Sequence, residues 1–95
     1  MATTSGPKFA CVSFFAPHEP HELAPPDLTQ GLTFPATGRG AYESAMVAID
    51  TKLGQMAQAI DLNRTYVLLM SDNGTPPDVP PVPSAEQGYK LTQYE

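Results

Sequence analysis

A chain of 95 residues with 10 acidic and 5 basic side chains carries a formal net charge of −5. That balance lacks the basic face a nucleic-acid binder needs, so no nucleic acid is expected among its partners. Eleven prolines fall in two blocks, Pro7 to Pro35 and Pro76 to Pro83, and residues 36–75 have none; without a Gly-X-Y period they exclude a collagen-like chain.

Residues 1–7 show no basic segment followed by an apolar stretch, so no signal peptide is expected in them. They are expected to be a disordered N-terminal segment. No apolar run approaches the ~20 residues of a membrane span. A single cysteine, Cys11, excludes an internal disulfide and a cysteine-based zinc site, and leaves the compartment open. With 41% apolar residues the chain can build one small core of marginal stability.

The run 9–16, Phe-Ala-Cys-Val-Ser-Phe-Phe-Ala, is short, apolar and stopped by Pro17. It predicts a strand buried on both faces, as in a parallel sheet. Cys11 inside it is expected to be a small, inert hydrophobe with no catalytic role. Residues 18–40 form a long connection punctuated by Pro20, Pro25, Pro26, Pro35, Gly31, Gly38 and Gly40. Connections of this length in compact domains are often functional.

Residues 41–62 predict an amphipathic helix. Tyr42, Met46, Ile49, Leu53, Met56 and Ile60 recur at alternating steps of four and three and so share one face. Core packing is the expected role of that stripe. Asn63 is placed to end the helix in a left-handed conformation. Residues 65–70, Thr-Tyr-Val-Leu-Leu-Met, predict a second buried strand. Strand, helix and strand in that order predict an α/β fold with a β-α-β unit and a right-handed crossover.

Five features bear on chemistry. Asp72-Asn73 follows the second strand and offers hard oxygen ligands for Ca²⁺ or Mg²⁺, although Asp-Asn-Gly is a common turn sequence and spacing alone favours the plain turn. His18-Glu19-Pro20-His21-Glu22 follows the first strand. It is not HExxH, and Pro20 forbids the helix that would align two histidines, so one functional histidine fits better than a zinc site. With parallel strands, His18 and Asp72 share one edge of the sheet. Lys90 offers a compact positive charge for an oxyanion, although a lone lysine is usually solvated. The tract 75–84 holds two PxxP matches, Pro77 to Pro80 and Pro80 to Pro83, without the flanking arginine that SH3 recognition uses. Cys11 is the fifth, and is set aside as above.

Taken together, these segments resemble the sulfatase family of the alkaline-phosphatase-like superfamily. The resemblance rests on 14–20 (FFAPHEP), on 42–50 with Leu53-Gly54, on 69–74 (LMSDNG) and on 88–95 (GYKLTQYE), in that order and spacing. It covers nearly the whole chain from Lys8 onward. It implies that Asp72 and Asn73 supply two ligands of an active-site Ca²⁺, and that His18 and Lys90 contact the sulfate. His18 would also serve the leaving-group oxygen. It further implies a formylglycine nucleophile, made from a cysteine or serine in a C/S-x-P/A-x-R motif, and a sulfate-ester small molecule or sulfated glycan as substrate. Members are often exported, to the periplasm, the exterior or the lysosome.

The sequence departs from the family where the nucleophile should be. Cys11 is followed by Val-Ser-Phe-Phe, with neither the proline nor the arginine, and the family's N-terminal Asp-Asp pair is missing. The expectation is therefore a fragment of a sulfuric ester hydrolase, with 8–95 as part of its catalytic domain. Alone it is expected neither to hydrolyse sulfate esters nor to bind Ca²⁺ tightly. A phosphate or phosphonate ester hydrolase of the same superfamily is the alternative. A non-catalytic PxxP-bearing interaction fragment and a structural remnant are the readings outside it.

Overall fold

The computed structural model describes residues 5–74 and Val79. Its regular elements are a 3-10 turn, Pro26–Leu28, and one α-helix, α1, Gly38–Gln58. Ser5, Gly6 and Pro7 are exposed and lie outside helix and strand.

The predicted β-α-β unit is not seen. Among the described residues there is no strand, so the expected α/β sheet is corrected to a single helix with a packed loop. The segments 9–16 and 65–70 carry strand-type side chains but join no sheet. Phe9 is 90% exposed, Tyr66 fully exposed and Leu68 83% exposed. Strand propensity describes a fit to a pleated, half-buried surface, and without a neighbouring ladder there is no such surface. Cys11 is likewise exposed, not enclosed in an apolar strand.

Helix α1 starts earlier than the apolar stripe does. Thr37 is extended (φ −125°, ψ 162°) and its Oγ1 accepts the Gly40 N–H at 3.1 Å, which satisfies one of the orphan donors of the first turn. Arg39 Nε donates to Glu43 Oε1 at 2.6 Å, one turn on. Gly40 is buried, and a Cβ there would collide with the Pro35 carbonyl. Its lack of a side chain lets the incoming loop cross the first turn.

The helix also ends earlier, at Gln58. Ala59 is right-handed and its N–H donates to the Met56 carbonyl at 3.0 Å. Asn63 is not the left-handed stop, because Gln30 is the non-glycine residue with positive φ among those described. The Asn63 N–H instead donates to Asp61 Oδ1 at 3.0 Å, and the Arg64 N–H to the Asp61 carbonyl at 3.0 Å, forming a turn.

The packed face of α1 is not the predicted one. Its buried residues are Gly40, Ala41 and Ser44, while Met46, Met56 and Ile60 of the stripe are exposed. At about 100° per residue, Ala41, Ser44, Ala45, Ala48 and Thr51 form a face of small side chains about a third of a turn from the Met and Leu stripe. The proline loop lies on that face. The Ala24 N–H donates to Ser44 Oγ at 3.0 Å, and Ser44 Oγ donates to the Ala41 carbonyl at 2.8 Å. Thr51 Oγ1 donates to the Leu28 carbonyl at 2.9 Å, and Gln30 Nε2 reaches Asp50 Oδ2 at 3.1 Å. Gln30 (φ 55°) and Gly31 (φ 77°) then reverse the chain out of the contact.

Two outcomes follow from this packing. Ser44→Ala leaves the Ala24 N–H without its acceptor in a partly buried place and is expected to cost about 1–3 kcal/mol. Thr37→Ala is expected to cost about 1 kcal/mol through the lost cap. Urea titrations followed by helical circular dichroism measure both, and unchanged midpoints would contradict these assignments. The bare apolar segment also predicts dye binding by the native chain. Val67→Lys with Leu69→Lys is expected to lower its fluorescence with the hydrophobic probe ANS while leaving helix content unchanged.

Candidate functional site

The segment before the 3-10 turn folds tightly around its prolines. At Phe15–His18 the chain turns on a cis Ala16–Pro17 peptide, and the His18 N–H donates to the Phe15 carbonyl at 3.0 Å. A cis proline at the third position of a four-residue turn is the type VI arrangement. The turn stacks the His18 ring near that of Phe15, with centroids 5.0 Å apart at 34°.

His18 itself is exposed, and its Nδ1 lies 3.0 Å from the Glu19 carbonyl. A carbonyl oxygen only accepts, so Nδ1 must carry the proton in this contact. In the neutral ring Nε2 is then the bare nitrogen, ready to accept a proton or to hold one for donation. This orientation comes from one residue's own backbone neighbour.

Between this turn and α1 lies an open cavity of about 420 Å³. Phe14 to His18, Pro20 to Pro25 and Leu28 form one wall, and Ala41, Ala45, Ala48, Ile49 and Lys52 form the helix side. Most of that lining is apolar, with His18, His21, Glu22 and Lys52 as its ionisable groups. His21 is half-buried, and its ring meets Tyr42 edge-on with centroids 6.1 Å apart. Lys52 Nζ donates to Gln55 Oε1 at 3.2 Å.

Asp72 and Asn73 are not part of this cavity lining. They lie in 71–74, outside helix and strand, with Asp72 exposed and Asn73 half-buried. Ser71 Oγ donates to the Asn73 carbonyl at 2.6 Å, and Asn73 Nδ2 donates to the Gly74 carbonyl at 2.9 Å. Lys90 and the segment 88–95 lie outside the described residues, as do the PxxP matches apart from Val79, which is buried.

A Ca²⁺ ion takes six to eight oxygen ligands. Asp72 and Asn73 offer two residues of that shell, and among the described residues no group of three or more His, Cys, Asp or Glu side chains is placed to hold a metal. The pair by itself does not fit a bound Ca²⁺, so no step of chemistry is derived through one. Likewise, among the described residues no helix is long and apolar enough to cross a membrane.

Sequence reasoning missed the cavity. His21 entered only as a possible metal partner of His18, and Lys52 did not enter as a site residue. Their shared wall depends on which face of α1 the loop covers. A faint signal was the recurrence of Ala41, Ala45 and Ala48, small residues that admit close approach of another segment.

No protein-family model matches the chain, and no curated protein or solved structure gives a significant match.

The His18 geometry is testable directly. Long-range proton–nitrogen spectra of the imidazoles are expected to show the neutral His18 ring with its proton on Nδ1. A neutral ring protonated on Nε2 would mean that the Glu19 carbonyl does not orient it.

Proposed function

We propose that this chain supplies part of the catalytic site of a sulfuric ester hydrolase. The observation that carries the reading is the His18 turn. A histidine at the mouth of a partly apolar cavity, held through Nδ1 by a backbone carbonyl, presents Nε2 for acid–base work. The four segments that resemble the sulfatase family, with His18, Asp72, Asn73 and Lys90 in their order, supply the reaction class.

Cleavage of a sulfate ester breaks a sulfur–oxygen bond and leaves negative charge on the departing oxygen. In this reading the imidazolium of His18 donates its Nε2 proton to that oxygen as the bond lengthens. The lysine at position 90 balances charge on the sulfuryl oxygens. Asp72 and Asn73 by themselves do not make a metal shell, and no step of this reading runs through one. The nucleophile comes from elsewhere, since C/S-x-P/A-x-R does not occur in this sequence.

The DNA flanking this reading frame is the direct test, with an encoded C/S-x-P/A-x-R expected on the upstream side. Its absence from both sides would remove the reading. The purified chain alone is expected to leave aryl sulfates intact. Joined to a segment bearing a matured nucleophile, it is expected to turn them over. His18→Ala is then expected to lower kcat by about 10²- to 10⁴-fold. The loss should be largest for poor leaving groups, whose departing oxygen most needs a proton. Equal losses across leaving groups would contradict the proton-donor role, and preferential turnover of phosphate esters would reassign the substrate class.

A further inference from the structure

Two turns of the described chain carry an asparagine, and the residues that follow them differ in kind. Asn63 is followed by Arg64, whose backbone N–H is engaged by the Asp61 carbonyl at 3.0 Å. The Arg64 side chain also begins at a Cβ that shields this nitrogen. The Asn63 amide is held in place as well, with Nδ2 on Asp61 Oδ1 at 3.3 Å.

Asn73 is followed by Gly74, which has no Cβ. Segment 71–74 lies outside helix and strand, and no described residue accepts a hydrogen bond from the Gly74 N–H. Asn73 Nδ2 donates to the Gly74 carbonyl at 2.9 Å, so the side-chain amide reaches forward along Gly74. Ser71 Oγ donates at 2.6 Å to the Asn73 carbonyl. That oxygen belongs to the same peptide group as the Gly74 nitrogen.

From this geometry we propose that Asn73 is a site of spontaneous deamidation through a cyclic imide, assisted by the Ser71 hydroxyl. Hydroxide removes the Gly74 amide proton, and the nitrogen attacks Asn73 Cγ. A bond forms between Gly74 N and Cγ, and the bond between Cγ and Nδ2 breaks. The departing nitrogen takes a proton from water and leaves as ammonia. Water then opens the five-membered imide at one of its two carbonyls. Opening at Cγ leaves an aspartate at position 73. Opening at the backbone carbonyl leaves an isoaspartate, in which the main chain runs through Cβ. One water is consumed and one ammonia released, with no change in oxidation state.

Each structural feature acts on a particular step. The missing Cβ at Gly74 opens the path of its nitrogen to the carbonyl carbon. The Ser71 hydroxyl is a preorganised donor to the Asn73 carbonyl, which gains negative charge when the Gly74 nitrogen loses its proton. The contact between Nδ2 and the Gly74 carbonyl keeps the side chain directed toward its successor. Either product places a second negative charge beside Asp72, and isoaspartate also adds a methylene to the backbone. The proposal stands whether or not the sulfate-ester reading holds.

The test is incubation of the full chain at mildly alkaline pH, followed over time by peptide mapping with mass spectrometry and enzymatic methylation of isoaspartate. Conversion at Asn73 is expected to run about tenfold or more ahead of Asn63, with isoaspartate as a product. Gly74→Ala is expected to slow it about tenfold, and Ser71→Ala by several-fold. An Asn73 amide that outlasts or merely matches Asn63 would overturn the site. A rate unchanged by Ser71→Ala would overturn the hydroxyl's role, and conversion unchanged by Gly74→Ala would overturn the cyclic route.

Discussion

The described structure depends on a line of hydrogen bonds between one loop and one face of α1. Ser44 Oγ receives the Ala24 N–H, and Thr51 Oγ1 donates to the Leu28 carbonyl two turns along the helix. These contacts bracket the 3-10 turn and hold it on the helix. Only small side chains at Ala41, Ala45 and Ala48 let the loop come close enough for them to form. The Phe15–His18 turn and the cavity beside it take their position from this docking.

The same docking explains how a candidate site arises without a sheet. His18 and His21 reach the cavity on a loop that prolines bend and hydroxyls fasten, and α1 supplies the opposite wall. Asp72 and Asn73 follow the exposed apolar segment 65–70 in sequence and take no part in that wall. The sulfate-ester reading asks for His18 and the Asp72-Asn73 pair to serve one site.

Much of the local structure was legible. Spacing revealed the helix, and proline and glycine revealed the loop. The helix boundaries shifted because the ends are set by chemistry that periodicity ignores. Thr37 captures the Gly40 N–H before the stripe begins, and Asp61 captures the backbone beyond Gln58. The choice of buried face failed for a different reason. Hydrophobicity ranks Met46 and Met56 above Ala41 and Ser44, but a bent, proline-rich loop needs close approach and hydroxyl acceptors more than bulk. The strands failed because a strand is a relation between segments. Nothing within 65–70 states whether a neighbour will be present. His18 was legible as a candidate, whereas the carbonyl that orients its ring depends on the turn geometry.

The exposure of Phe9, Tyr66 and Leu68 carries a thermodynamic consequence. Heat capacity rises on unfolding in proportion to the apolar surface newly given to water. Among the described residues a large part of that surface is in water already, so their unfolding changes hydration little. Their contribution to the stability curve is correspondingly flat with temperature, and their denaturant dependence shallow. The helix should therefore melt over a broad range, with the enthalpy of its backbone hydrogen bonds, not the release of hydrophobic water, setting the midpoint.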